Sequence, residues 1–251
     1  MHRSKVDVYP HPHTLRLSTI VFILYYSLIG RTAITQHGDH MSAQHLERLK
    51  ALGTATIHEA QGQKGALDAG LKPLDPTLRM AGPAVTVDIR PGDNLMIHYA
   101  LTKTKPGDVL VVDAKGFLEA GPWGDILTLA ALELGLAGLV VNGSVRDGNA
   151  IIEMGFPVFC RGLSIKGTGK NQPGKVNVPL QFGGVQIHAG DIVVGDRDGL
   201  VVVSPSEVES VIDKSIEREE KEEAMRMALK EGKTMVELLK LGETLERFGL
   251  R

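Results

Sequence analysis

The chain has 251 residues, 43% of them hydrophobic, with a formal net charge of −2 and a mean hydropathy near zero. That is enough for one well-buried core, or for a core plus a small appendage, in a soluble globular protein. Lys+Arg at 28 against Asp+Glu at 30 excludes the global basic excess that drives phosphate-backbone binding, so nucleic acid is not an expected partner and any anion site has to be local. The single cysteine, Cys160, excludes an internal disulfide and a Cys-x-x-Cys metal knot, and it fits a reducing compartment, with the cytoplasm as the expected location.

The first forty residues do not match the rest. Residues 19–29 form an apolar run preceded by Arg3, Lys5 and Arg16, and the run is shorter than the about 20 residues a membrane-spanning helix needs. A secretory signal, a weak membrane-surface anchor and an upstream segment without a folded role are all open readings. The last is expected, and no stable membrane insertion with it. Met41 opens "MSAQHLERLKALGTATIHEAQG", an ordinary polar start to a globular domain. Residues 1–40 are therefore read as an extension and 41–251 as one domain closed by C-terminal helices.

Two short helices open the domain. Leu46 and Leu49 share a face of the first, which stops at Gly53, and Thr54 is the expected N-cap of the second. Residues 82–89 are β-branched and alternating, which predicts a strand. Helical periodicity follows over 93–103, a strand at "DVLVVDA", a helix over 125–134, the strand "GLVVNG", a helix over 148–154 and the strand "PVFC". Such alternation predicts βαβ units with parallel strands.

Past residue 162 the pattern changes. Residues 183–205, "GGVQIHAGDIVVGDRDGLVVVSP", predict three short strands joined by Gly-Asp and Asp-Gly turns as an antiparallel meander. The chain closes in helix, with Ser206 as a cap and Val208, Val211, Ile212 and Ile216 as the apolar stripe. Beyond Ile216 the stripe fails in "EREEKEEAMR", which meets either solvent or a neighbouring subunit.

The chemistry-bearing residues sit at the two ends of "GDILTLAALELGLAGLVVNGSVRD", where Asp125 and Arg146 are separated by twenty residues. Asp125 falls in the first turn of a helix, where free N–H groups and the dipole favour an anion. Arg146 and Asp147 follow a strand at its C-terminal end, the side of a parallel sheet where ligands collect. A forked guanidinium suits an enolate or carboxylate oxygen, and one Asp plus waters suffices for magnesium. Bland readings stand beside these: a surface ion pair or helix cap for Arg146–Asp147, an N-cap carboxylate for Asp125, and a cap or a substrate-directed amide for Asn94. His98 reads as a core or rim histidine, and Cys160 as a buried inert thiol. There is no G-x-S-x-G, no glycine-rich phosphate loop after a strand and no HExxH, which removes several common enzyme classes.

The spacing D-x20-R-D, with "GLVVNGSVRD", "FPVFCRGLSIKGTGKNQPGKVNVPL" and "AGDIVVGDRDGLVVV", resembles the metal-dependent pyruvate aldolases that cleave 4-hydroxy-4-methyl-2-oxoglutarate and 4-carboxy-4-hydroxy-2-oxoadipate. The likeness runs from about Met41 to Leu239, and "FCRGLSIKGT" is particularly similar to the carboxy-hydroxy-oxoadipate branch. The resemblance implies an α/β/β/α sandwich with a mixed, partly parallel sheet, assembled as homotrimers or homohexamers with active sites between subunits. It implies that Asp147 holds Mg²⁺ or Mn²⁺, that Arg146 binds the pyruvyl carbonyl oxygen, and that Asp125 holds a metal-bound water. Asn94 and the backbone N–H groups of Ile126 and Leu127 would take the pyruvyl carboxylate of the small oxo-acid substrate. A carboxylate from the adjoining subunit's C-terminal helix would complete the site; Glu219, Glu220, Glu222 and Glu223 compete for it, and Glu222 is chosen on spacing from Asp147 alone.

The implied activity is cleavage to pyruvate plus an oxo acid, with oxaloacetate decarboxylation alongside, because both reactions pass through one enolate. The same fold family includes the regulator of ribonuclease activity A, so a non-catalytic binding protein is the rival reading.

Overall fold

The computed structural model describes residues 42–250, and the extension read over 1–40 lies outside the described residues. Helix α1, Ala43–Ala51, is capped by Ser42, whose side chain accepts from the His45 N–H. Helix α2 is Thr54–Ala60. A short strand β1, Lys72–Pro73, precedes β2, Met80–Asp88, and helix α3, Leu95–Leu101. Then come β3 (Val109–Phe117), α4 (Asp125–Glu133), β4 (Gly138–Val145), α5 (Gly148–Glu153) and β5 (Val158–Cys160). Short strands β6 (Gly162–Leu163), β7 (Lys175–Val176), β8 (Leu180–Phe182) and β9 (Val185–Ile187) lead to β10 (Ile192–Gly195) and β11 (Leu200–Val203). The long helix α6, Val208–Lys230, and two short ones, α7 (Met235–Leu238) and α8 (Gly242–Arg247), end the chain.

The sheet runs β1-β5-β4-β3-β2-β10-β11. Strands β2 to β5 are parallel neighbours, as the alternation of strands and helices predicts, while β1, β10 and β11 join antiparallel. The sheet is mixed and the fold α/β.

Because side chains alternate across a strand, the sheet buries both faces. Val85, Val87, Leu110, Val112, Leu139 and Val141 pack against α3, α4 and α5. Ala84, Val109, Val111, Val140 and Phe159 pack on the other side with the β8–β9 hairpin and with Val193 and Val202. A third cluster sets the outer side of β10 and β11 against α1, α2 and α6. The sheet curls to permit this. A Cβ on Gly195 of β10 would come within 2.6 Å of the Phe159 ring on β5, four strands away in the sheet order, so a side chain there would force the curl open.

Three local expectations need correction. Gly53, not Thr54, is the N-cap of α2; Thr54 instead donates from N and Oγ1 to Asp196, at 2.8 and 2.7 Å, in a buried contact that binds the helix to the β10–β11 turn. Ser206 does not cap the long helix. A 3₁₀ turn, Pro205–Glu207, precedes α6, and the Ser206 hydroxyl pairs with that of Ser204. The meander is also divided: β9 pairs with β8 in a separate hairpin, and β10 goes to β2 and β11. The α6 stripe is as read, with Val208, Val211 and Ile212 buried and Ile216 packed against them.

Candidate active site at the parallel strand ends

Both ends of the Asp125–Asp147 stretch meet at the C-terminal end of β4. Helix α4 starts on Gly124, with Asp125 as its first residue, so three first-turn N–H groups have no intrahelical acceptor. That of Asp125 donates to Asp147 Oδ2 at 3.4 Å, and that of Ile126 to the Asp125 carboxylate at 2.7 Å. The Leu127 N–H remains. The N-cap reading of Asp125 is thereby replaced: Gly124 holds that position.

Arg146 Nε lies 3.2 Å from Asp147 Oδ2, with the two side chains 45% and 39% exposed. Asp147 sits before α5 in the left-handed conformation, φ 57° and ψ 37°, and its side chain makes no cap to α5. A non-glycine residue held there is uncommon, and the conformation turns the carboxylate back toward α4 rather than onto its own helix. The close approach depends on Gly124. A Cβ at that position would collide with Asp147 Oδ2 and stand 3.1 Å from Arg146 Nε.

Asn94 precedes α3 but makes no side-chain cap. Its Nδ2 donates to the Pro122 carbonyl at 3.0 Å, and its Oδ1 is buried without a partner. The capping at this helix falls to Asp93, which sequence reasoning did not single out. Asp93 accepts the Leu95 N–H on one oxygen, and the N–H groups of Asn171 and Gln172 on the other. Burial pushes its carboxyl up, but these donors outweigh burial and hold it below the usual carboxylate range. The loop over 163–174 is thus fastened at both ends of the site, to Asp93 and, through the Gly121 N–H on the Lys166 carbonyl, to the segment before α4. Burial and the Lys170 ammonium push the His98 imidazole below its usual value. Cys160 is buried, and burial pushes its thiol up, which leaves it inert.

Glu222 is on α6, within ion-pair distance of Arg218 (3.1 Å) and Arg226 (3.2 Å). Among the described residues, no hydrogen bond or ion pair links α6 to Arg146, Asp147 or Asp125. Glu219 is half-buried, and burial followed by the nearby Glu222 raises its carboxyl.

Asp147 supplies a hard oxygen donor of the kind Mg²⁺ and Mn²⁺ accept, with waters, one of them within reach of the Asp125 carboxylate, filling the other positions. Among the described residues no group of three His, Cys, Asp or Glu side chains forms a metal cage. The donor set fits a weakly held, largely hydrated cation and does not fit a structural zinc site.

A curled, mixed sheet whose parallel strand ends carry an Arg-Asp pair against the first turn of a helix defines an α/β protein with a charged site at those strand ends. The chain belongs to the RraA-like family, whose model, described as Aldolase/RraA, matches residues 54–202. A relative from Halalkalibacterium halodurans named "Putative 4-hydroxy-4-methyl-2-oxoglutarate aldolase" is 38% identical over 184 residues, 73% of this chain and 88% of that protein. The solved structure of Streptomyces coelicolor RraAS2, titled an unusual member of the RNase ES inhibitor RraA protein family, is 31% identical. Its TM-score is 0.66, covering 76% of this chain and 100% of that one. The RNA-processing inhibitor RraA from Thermus thermophilis is 30% identical with a TM-score of 0.57, covering 61% and 92%. No helix among the described residues is long and apolar enough to cross a membrane.

Proposed function

We propose that this protein is a divalent-metal-dependent lyase. It would cleave 4-carboxy-4-hydroxy-2-oxoadipate and 4-hydroxy-4-methyl-2-oxoglutarate to pyruvate plus an oxo acid, and decarboxylate oxaloacetate at the same site. The observation that carries the reading is the convergence of the Arg146 guanidinium, the Asp147 carboxylate and the first turn of α4 on one half-exposed point. The relatives' printed aldolase names agree with it.

Breaking the C3–C4 bond leaves an electron pair on the pyruvyl fragment, which becomes an enolate. Arg146, fixed in charge and forked, binds the oxygen on which that charge develops. The Leu127 N–H, still unpartnered in the first turn of α4, offers the pyruvyl carboxylate a donor beside it. Asp125 orients a water that takes the 4-hydroxyl proton and returns one to C3 of the enolate. Asp147 would hold Mg²⁺ or Mn²⁺, with Asp125 holding a water of its shell, and the ion when bound supplies Lewis-acid stabilisation of the same enolate.

Glu222 of an adjoining copy would complete the water shell. The exposed apolar side chains Ile126, Leu129, Leu163 and Ile165 around the site support a trimer or hexamer that covers them. The experiment is pyruvate formation from oxaloacetate, with EDTA and with added Mg²⁺. Metal-dependent turnover supports the lyase, and none under either condition overturns it.

A non-catalytic RraA-like regulator is the second reading. The observation in its favour is that Glu222 pairs with Arg218 and Arg226 of its own helix, and a binding protein needs no interface carboxylate.

A further inference from the structure

Four consecutive residues, Pro122 to Asp125, each touch a member of the site. The Pro122 carbonyl accepts from Asn94, and the Trp123 carbonyl accepts the Arg146 N–H at 2.9 Å. Gly124 lies flush against Arg146 and Asp147, and the Asp125 N–H reaches Asp147. What holds this segment is Trp123. Its ring is fully buried and stacked on Phe156, centroids 6.3 Å apart. Its indole N–H donates to Thr128 Oγ1 at 2.7 Å, and the Thr128 hydroxyl donates in turn to the Gly124 carbonyl at 3.0 Å.

Thr128 has no exposed surface, so it cannot touch substrate. Both capacities of its hydroxyl are engaged in tying the indole to the segment. Without the hydroxyl, the buried indole N–H loses its acceptor and has to move to find another, carrying the carbonyl that orients Arg146. We propose that Thr128 and Trp123 are positioning residues, a hydroxyl–indole bolt that sets segment 122–125 and thereby the register of Arg146 against Asp147. The inference rests on the lyase reading for its kinetic consequence but not for its structural one.

Four variants test it: Thr128→Val, Thr128→Ser, Trp123→Phe and the double variant Thr128→Val/Trp123→Phe. Two quantities are read, the steady-state kinetics of oxaloacetate decarboxylation with Mg²⁺ and residue-resolved hydrogen–deuterium exchange at the Arg146 amide. Thr128→Val is expected to lower kcat about ten- to a hundredfold, as small misplacements remote from the chemistry do, with KM within about threefold, and to speed exchange at Arg146. Thr128→Ser keeps the hydroxyl and should restore both. In the Trp123→Phe background, Thr128→Val should add little, because the two side chains act as one unit.

A wild-type kcat in Thr128→Val, even with a lowered Tm, overturns the proposal, as do effects that simply add in the double variant. Should Thr128→Val not fold, Trp123→Phe alone decides, since it keeps the stack and must reproduce the kcat loss and the faster exchange. A wild-type protein that makes no pyruvate strikes the lyase reading instead. The bolt then stands if Arg146 exchange quickens in Thr128→Val and falls if it does not.

Discussion

Asp125 and Asp147 are 22 positions apart in the chain, yet the backbone N–H of the first donates to the carboxylate of the second. That contact joins a helix start to a strand end, beside the Arg146 N–H on the Trp123 carbonyl, and Arg146 Nε lies against the same oxygen. The positive end of the α4 dipole and a guanidinium therefore both face Asp147.

Replacing Arg146 by lysine tests what the fork contributes. The charge stays, but the paired donors are lost. We expect kcat for oxaloacetate decarboxylation to fall about a hundredfold, the scale of losing one donor to a developing oxyanion, with Mg²⁺ stimulation retained. An equal loss in metal affinity would assign Arg146 to the metal site instead.

Gly124→Ala probes the close approach directly. The added methyl cannot coexist with the present position of Asp147, so activity should fall at least about tenfold while the circular dichroism spectrum is unchanged. Wild-type turnover in this variant would mean that the Arg146–Asp147 geometry is not required.

The acid limb of stability should report on Asp93. Its folded-state pKa is depressed, so its contribution is present above the unfolded value, about 3.9, and is lost as pH falls through the folded value. Thermal melts at pH 7 and pH 3 should therefore differ less in Asp93→Asn than in the wild type, and Tm at pH 7 should be a few degrees lower. An unchanged pH difference would remove Asp93 from the list of groups that tie down the 163–174 loop.

Subunit mixing tests the shared site. Asp147→Ala and Glu222→Gln are each expected to be inactive alone, and exchange between them should recover part of the wild-type rate. If labelled subunits exchange and no activity returns, Glu222 does not serve a neighbour's site.

Strands β2 to β5 and their helices are legible because short β-branched apolar runs, buried on both faces, alternate with segments of helical period, and the pairing of Asp125 with Arg146–Asp147 follows from where a βαβ unit puts its ends. The misreadings are long-range. Thr54 reads as a cap because threonine caps helices, but its partner, Asp196, is 142 positions away. Asp93 reads only as a neighbour of Asn94, although Asp-Asn before an apolar helix signals an Asx turn; its second set of donors, from Asn171 and Gln172, has no local trace. The division of the meander turned on β8, which carries too few residues to show a period.

The curl also dictates an order of assembly. Strand β10 pairs with β2, Ile192 opposite Pro83, so β2 leaves the ribosome long before its antiparallel neighbour exists. Until then the Met80–Pro83 stretch of that margin is open, since β7 covers only Val87 and Asp88, and its amides and the apolar residues of its inner face stand uncovered, the condition that invites intermolecular strand pairing. Chains truncated ahead of Ile192 should aggregate, however completely their βαβ units have formed.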